Sequence, residues 1–307
     1  MRTRRLNRRE WLSIGAGACT FFAMRPLYAD RLRPTGRIAF VRGDFGHAGN
    51  RKIYLVNPDG KDLRPLTDAE DYPGEDRPSW SPDSTSIAFT AKERICICNS
   101  DGGNLRFLTP ADMQAGAPTW SPDASRIAFH AWNQDRSSSQ IYTMKSDGTD
   151  IRQLTKSECY NGLPCWCADN KRIVFESTMT GNRDIFSMSA DGSDQINLTN
   201  AQGTDHAPAC SPTGKRIAFA SGRDFGNLEV CIMDLDGSRF TNLTSDDSRD
   251  SEPAWAPDGE WLAFTRSEGK RPSPMDILII RADGSNVTNI TANDPDIASW
   301  APSWGAQ

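Results

Sequence analysis

Apolar residues fall along this chain in short words bounded by Pro, Gly, Asp and Ser. Four such words recur in one order, with a period of about 45 residues. The first is Pro-x-Trp, ending at Trp80, Trp120, Trp166 and Trp255, with Cys210 standing where a Trp is expected. The second runs Ile38-Ala39-Phe40, Ile87-Ala88-Phe89, Ile127-Ala128-Phe129, Ile173-Val174-Phe175, Ile217-Ala218-Phe219 and Leu262-Ala263-Phe264. The third is Ile53-Tyr54, Ile95-Cys96, Ile141-Tyr142, Ile185-Phe186, Val230-Cys231 and Ile277-Leu278. The fourth is Leu66-Thr67, Leu108-Thr109, Leu154-Thr155, Leu198-Thr199, Leu243-Thr244 and Ile290-Thr291. β-Branched and aromatic runs punctuated in this way predict strands. Asp-Gly precedes every fourth word, from Asp59-Gly60 to Asp283-Gly284, and predicts a tight hairpin between the third and fourth strands.

Four words per period and six copies predict an all-β, six-bladed β-propeller with four antiparallel strands per blade. No Pro-x-Trp precedes Ile38, but Pro302-Ser303-Trp304 follows the last fourth word. The C-terminus is therefore expected to supply the innermost strand of the N-terminal blade, closing the ring and removing open sheet edges. Trp300-Ala301-Pro302 also resembles Trp255-Ala256-Pro257; Trp304 is the favoured closing residue because Pro-x-Trp is the better-kept half of the pattern.

Residues 1–29 break the pattern. Arg4, Arg5, Arg8 and Arg9 form a basic head, Trp11 to Met24 a modest apolar run, and Leu27-Tyr28-Ala29 a small-residue cleavage site. This reads as an export signal, too short to anchor in a membrane. Asn7-Arg8-Arg9-Glu10-Trp11-Leu12 matches a twin-arginine pattern with Trp for the usual Phe. The expected division is a signal over 1–29 and a single propeller over 30–307. The signal holds six Arg and one Glu, so its removal takes the net charge from −5 to −10. Such a surface disfavours nucleic acid and anionic lipid. A monomer without membrane insertion is expected.

Candidate chemistry lies where the copies disagree, because the repeated turns are scaffold. The residues leading into the innermost strands include Glu75-Asp76-Arg77, Asp205-His206, Asp250-Ser251-Glu252 and Ser299-Trp300. Their carboxylates predict an acidic ring at the channel mouth, suited to a basic peptide or a hard cation such as Ca²⁺, with solvated loop acids as the plainer alternative. Trp132 and Arg136 form the most binding-like pair in the loops between second and third strands, since Trp and Arg dominate interface hot spots; packing on a neighbouring loop is the alternative for Trp132. His47, His130 and His206 fall in different copies, and no metal-ligand spacing or Gly-x-Ser-x-Gly elbow occurs. Neither a catalytic residue nor a metal site is expected. In an oxidising compartment Cys159 is a candidate to pair with Cys165 or Cys167, while Cys96, Cys98, Cys210 and Cys231 read as small buried hydrophobes.

From Gly36 to Trp304 the repeat resembles the TolB-like PD40 family of WD40-like propellers, best over Ser121-Pro122-Asp123 to Gly148 and over Ala220-Ser221-Gly222-Arg223-Asp224 to Gly237. The resemblance implies a periplasmic bacterial protein whose propeller face and channel bind a partner, in that family a peptidoglycan-associated lipoprotein. The family also carries a smaller α/β domain before its blades, for which residues 30–307 leave no room. The reading that follows is an exported, non-enzymatic protein-binding module; the alternative is a carbohydrate-binding or carbohydrate-active propeller acting on envelope or plant glycans.

Overall fold

The repeated words fold as six four-stranded antiparallel sheets, described by a computed structural model over residues 33–44, 50–67, 74–223, 226–269, 275–292 and 297–306. The export-signal segment and His47 lie outside the described residues. Blade 1 has second and third strands Arg37–Gly43 and Lys52–Val56, and its innermost strand is the C-terminal Ala298–Gly305. The innermost strands of blades 2 to 6 are Asp76–Trp80, Ala115–Trp120, Asn161–Trp166, Asp205–Cys210 and Arg249–Trp255. Each packs against the innermost strand of the next blade, and Ala298–Gly305 meets those of blades 6 and 2, so the ring closes.

Register decides which tryptophan closes it. Trp304 pairs with Ile38, as Trp80 pairs with Ile87, Trp120 with Ile127, Trp166 with Ile173 and Trp255 with Leu262. Trp300 pairs with Val41, further along the strand. The second word forms the core: Phe40, Phe89, Phe129, Phe175, Phe219 and Phe264 are all fully buried. Hydrophobic clusters run between blades, joining for instance Ile38 and Phe40 of blade 1 to Trp261, Ala263 and Ile277 of blade 6. Burying one such aromatic contributes about 2–3 kcal/mol, so blade-to-blade contact is the main cohesive term.

The fourth word is not itself the outermost strand. Those strands are two-residue pairings such as Arg64–Pro65 and Arg106–Phe107, which end just before Leu-Thr. The threonine instead folds back, its hydroxyl accepting the backbone N–H that opens the third word. Thr109 takes that of Ile95 at 3.0 Å, Thr155 that of Ile141 at 2.9 Å, and Thr291 that of Ile277 at 2.9 Å. The leucine carries the next blade's turn. Gly192 has φ +93°, and a Cβ there would stand 2.6 Å from the Leu154 carbonyl oxygen. The Asp-Gly turn thus needs glycine both for its backbone and for the close approach of the neighbouring blade.

Candidate functional site

Every innermost strand is broken at the same place. The residue before the repeated proline has a positive φ in all six copies: Arg77 +49°, Ala117 +52°, Leu163 +46°, Ala207 +53°, Glu252 +55° and Ala301 +51°. Pairing with the second strand slips across this point in each blade. Proline has no N–H for the ladder, so the strand bulges one residue early and turns that residue toward the axis. All six of these residues line the channel.

Strand alternation then divides the predicted acidic ring. Adjacent residues point to opposite faces, so Glu75, Asp205 and Asp250 cannot share the environment of Asp76, His206 and Ser251. The first three are fully buried. Glu75 accepts the Ile53 N–H at 2.7 Å and the Thr67 hydroxyl. Asp205 takes three hydrogen bonds from Arg223, at 3.3, 3.1 and 2.7 Å, and Asp250 two from Arg266, at 2.8 and 2.7 Å. These three carboxylates tie strands together, and the acidic-ring expectation is corrected accordingly.

Asp76, Arg77, His206, Glu252 and Trp300 do line one cavity, of about 560 Å³, at the channel mouth. Arg77 donates to Glu252 at 2.8 Å, spanning from blade 2 to blade 6. The small Ala301 of the intervening blade 1 stands in the same column, and its N–H donates to Glu252 at 2.9 Å. Burial works against charge on Arg77, but Glu252 and Asp76 outweigh it and hold the guanidinium protonated. Asp76 accepts from the Trp300 indole N–H at 3.2 Å and pairs with Arg51 at 4.0 Å. Burial nonetheless raises its carboxyl above the ordinary value.

The cavity is also lined by residues that the repeat pattern does not mark: Arg51, Tyr160, Glu176, Arg183 and Arg249. The available signal was the position just after the second-word phenylalanine. It is apolar in Val41 and Ala220 but polar in Thr90, His130, Glu176 and Thr265. Its side chains cap the bulge of the following blade, Thr90 on the Ala117 N–H at 3.1 Å and Glu176 on that of Ala207 at 2.9 Å. The glycines of neighbouring strands make room: Gly116 faces the His130 ring, and Gly162 leaves the space occupied by the Tyr160 hydroxyl. Counting the wall, four arginines (Arg51, Arg77, Arg183 and Arg249) meet three carboxylates (Asp76, Glu176 and Glu252). Burial and Arg77 push His130 down to about 3, and burial lowers His206, so both imidazoles stay neutral near pH 7. His130 Nδ1 and Arg51 Nε are buried with no hydrogen-bond partner among the described residues.

Trp132 and Arg136 are not brought together as a binding pair. Trp132 packs against Tyr160 with ring centroids 5.4 Å apart and the planes tilted by 39°, and meets His130 edge-on at 6.2 Å, backing two residues of the cavity wall. Arg136 turns outward to Glu93. Among the cysteines, the sulfur that meets Cys167 is that of Cys210 on the next blade, while Cys159 forms no disulfide. No group of three or more metal-ligating side chains is arranged for a cation among the described residues.

A family model described as the TolB beta propeller domain, PD40, matches residues 29–200 and 193–306. A search of curated proteins returned no match. Among solved structures, TolB from Acinetobacter baumannii is 21% identical with a TM-score of 0.73, the match covering 89% of this chain and 67% of that one. Kuenenia stuttgartiensis hydrazine synthase is 15% identical with a TM-score of 0.70, covering 88% of this chain and 46% of that one. A Mycobacterium tuberculosis puromycin-hydrolyzing peptidase is 16% identical with a TM-score of 0.58, covering 78% and 41%. At these identities the likeness is one of fold, which serves binding proteins and enzymes alike.

Proposed function

The chain belongs to the TolB beta-propeller family, and from that premise we propose that it is an exported, non-enzymatic binding protein whose channel mouth takes a segment of another envelope protein. The observation that carries this reading is the composition of the mouth. A cavity of about 560 Å³ is walled by four arginines, three carboxylates, Tyr160 and His130, with Trp132 packed against those two rings. Its carboxylates are committed, Glu252 to Arg77, Asp76 to Arg51 and Glu176 to Arg183 at 3.3 Å. An inserted peptide therefore meets a mixed wall with a slight cationic excess, and one carrying an acidic side chain fits better than a basic one. The peptidoglycan-associated lipoprotein implied by the family resemblance is one partner of this kind.

The same geometry weakens two other readings. Ca²⁺ takes six or more oxygen ligands, and the carboxylates that face the cavity are already held by arginines. A stacked sugar needs an open aromatic face; Arg51 lies over the Trp300 ring, 5.4 Å from its centroid.

Site-specific photo-crosslinking tests the proposal. A benzophenone amino acid at His206, inside the cavity, should yield a discrete adduct with an envelope protein in cells. The same group at Arg106, on an outermost strand, should not. The Arg51→Ser, Arg249→Ser variant should lose most of the adduct. Equal labelling from both positions, or labelling indifferent to the two arginines, would overturn a channel-mouth site.

A further inference from the structure

Three sulfurs meet at the opposite end of the channel, where one copy of the repeat lacks its tryptophan. Trp120, Trp255 and Trp304 each send the indole N–H to a neighbouring backbone carbonyl, of Ser79 at 3.2 Å, Ala209 at 2.9 Å and Thr35 at 2.8 Å. In blade 5 this position is Cys210, too short to make that bond. Its thiol meets the residues flanking Trp166 of blade 4. Cys210 Sγ lies 2.7 Å from Cys167 Sγ, and the Cys210 N–H donates to Cys165 Sγ at 3.1 Å. All three are free thiols. Cys167 is fully buried, whereas Cys165 and Cys210 line a cavity of about 500 Å³ at this end. A small disulfide in the channel therefore meets Cys165 and Cys210 first.

We propose that Cys167 and Cys210 are a modification site, forming a disulfide that staples blade 4 to blade 5 where the ring lacks an indole, with Cys165 as the exchanging thiol. Hydrogen bonds from the Cys210 thiol and amide lower Cys165, favouring its thiolate, the form that attacks disulfides. The oxidant is a small-molecule disulfide such as oxidised glutathione. Cys165 thiolate attacks one of its sulfurs, forming a mixed disulfide and releasing one glutathione thiolate. Cys210 then attacks the Cys165 sulfur and releases the second. Finally Cys167 attacks Cys210, returning Cys165 to the thiolate. The Cys167 and Cys210 thiols lose two protons and two electrons in all; the electrons reduce glutathione disulfide, and the protons complete two glutathione thiols. A bond across a 43-residue interval restrains the unfolded chain, and it stands where blade 5 has a cysteine in place of the repeated tryptophan.

The test uses the full chain, oxidised with glutathione disulfide, capped with N-ethylmaleimide and digested without reductant. Mass spectrometry should find one linked peptide pair joining Cys167 to Cys210 and lacking two hydrogens. Dithiothreitol should lower the melting temperature by about 5 °C. Cys210→Ser should remove both the linked peptide and the reductant-dependent shift. Alkylation of Cys167 and Cys210 after oxidation would overturn the proposal, as would a link from Cys159 to Cys165 or Cys167, or a stable Cys165–Cys210 link. The wild-type measurement decides the matter even if the variant fails to fold, and it is independent of what the channel mouth binds.

Discussion

Asp205 and Asp250 show how residue type and residue role separate. Both sit in polar segments that read as an acidic mouth, yet each is fully buried and held by hydrogen bonds from one arginine. Removing one partner strands a buried charge, which costs far more than the pair contributes net. Asp205→Asn is expected to destabilise the fold by about 3 kcal/mol, at the low end for buried pairs because Arg223 is partly exposed. Photo-crosslinking from a channel-mouth position should be unchanged in the folded fraction. Urea denaturation alongside the crosslinking assay separates the two roles; loss of crosslinking with unaltered stability would return Asp205 to the binding site.

At the scale of the element, the turns are as informative as the strands. Asp147, Asp191, Asp236 and Asp283 each accept the backbone N–H and the hydroxyl of the Ser or Thr two residues on, which holds their carboxyls below the usual value. A carboxylate lowered in the folded state contributes stability that is fully present above its unfolded pKa, near 4, and lost as pH falls further. His130, pushed down to about 3, must gain a proton on unfolding, so its contribution to acid loss begins earlier, below about pH 6.5. The melting temperature should therefore decline gently from about pH 6.5 and steeply below about pH 4. His130→Gln should reduce only the upper limb, to which the lowered His206 also contributes, and Asp147→Asn with Asp191→Asn only the lower one. Scanning fluorimetry across this range checks both; a single transition indifferent to either change would refute the assignment.

For the whole molecule, stability and site depend on closure. Ala298–Gly305 is the innermost strand of blade 1 and touches the innermost strands of blades 6 and 2. Removing residues 298–307 takes away Trp304, half the ladder of Arg37–Gly43, the Trp300 side of the cavity and the Ala301 N–H that Glu252 accepts. The truncated chain is expected to lose cooperative unfolding and to associate through the exposed edge of blade 1. Size-exclusion chromatography and thermal melting would show this; a monomer with a native-like melt would mean that the ring holds without closure.

The architecture was legible because its causes are local and repeated. Short continuous apolar words, Asp-Gly turns and a Pro-x-Trp displaced to the C-terminus determine six blades and a shared first blade, since each acts within a few residues. The site was only partly legible. Asp76, Arg77, His206, Glu252 and Trp300 could be named from their place in the repeat, but their company could not. Which acids face the axis depends on a bulge before each proline and on the alternation it shifts. Arg51, Tyr160, Glu176, Arg183 and Arg249 reach the cavity only because the ring brings distant blades together. The thiols of Cys167 and Cys210 likewise stand 43 residues apart in the chain and 2.7 Å apart in space. Local patterning decided the ring; closure of the ring decided which side chains meet inside it.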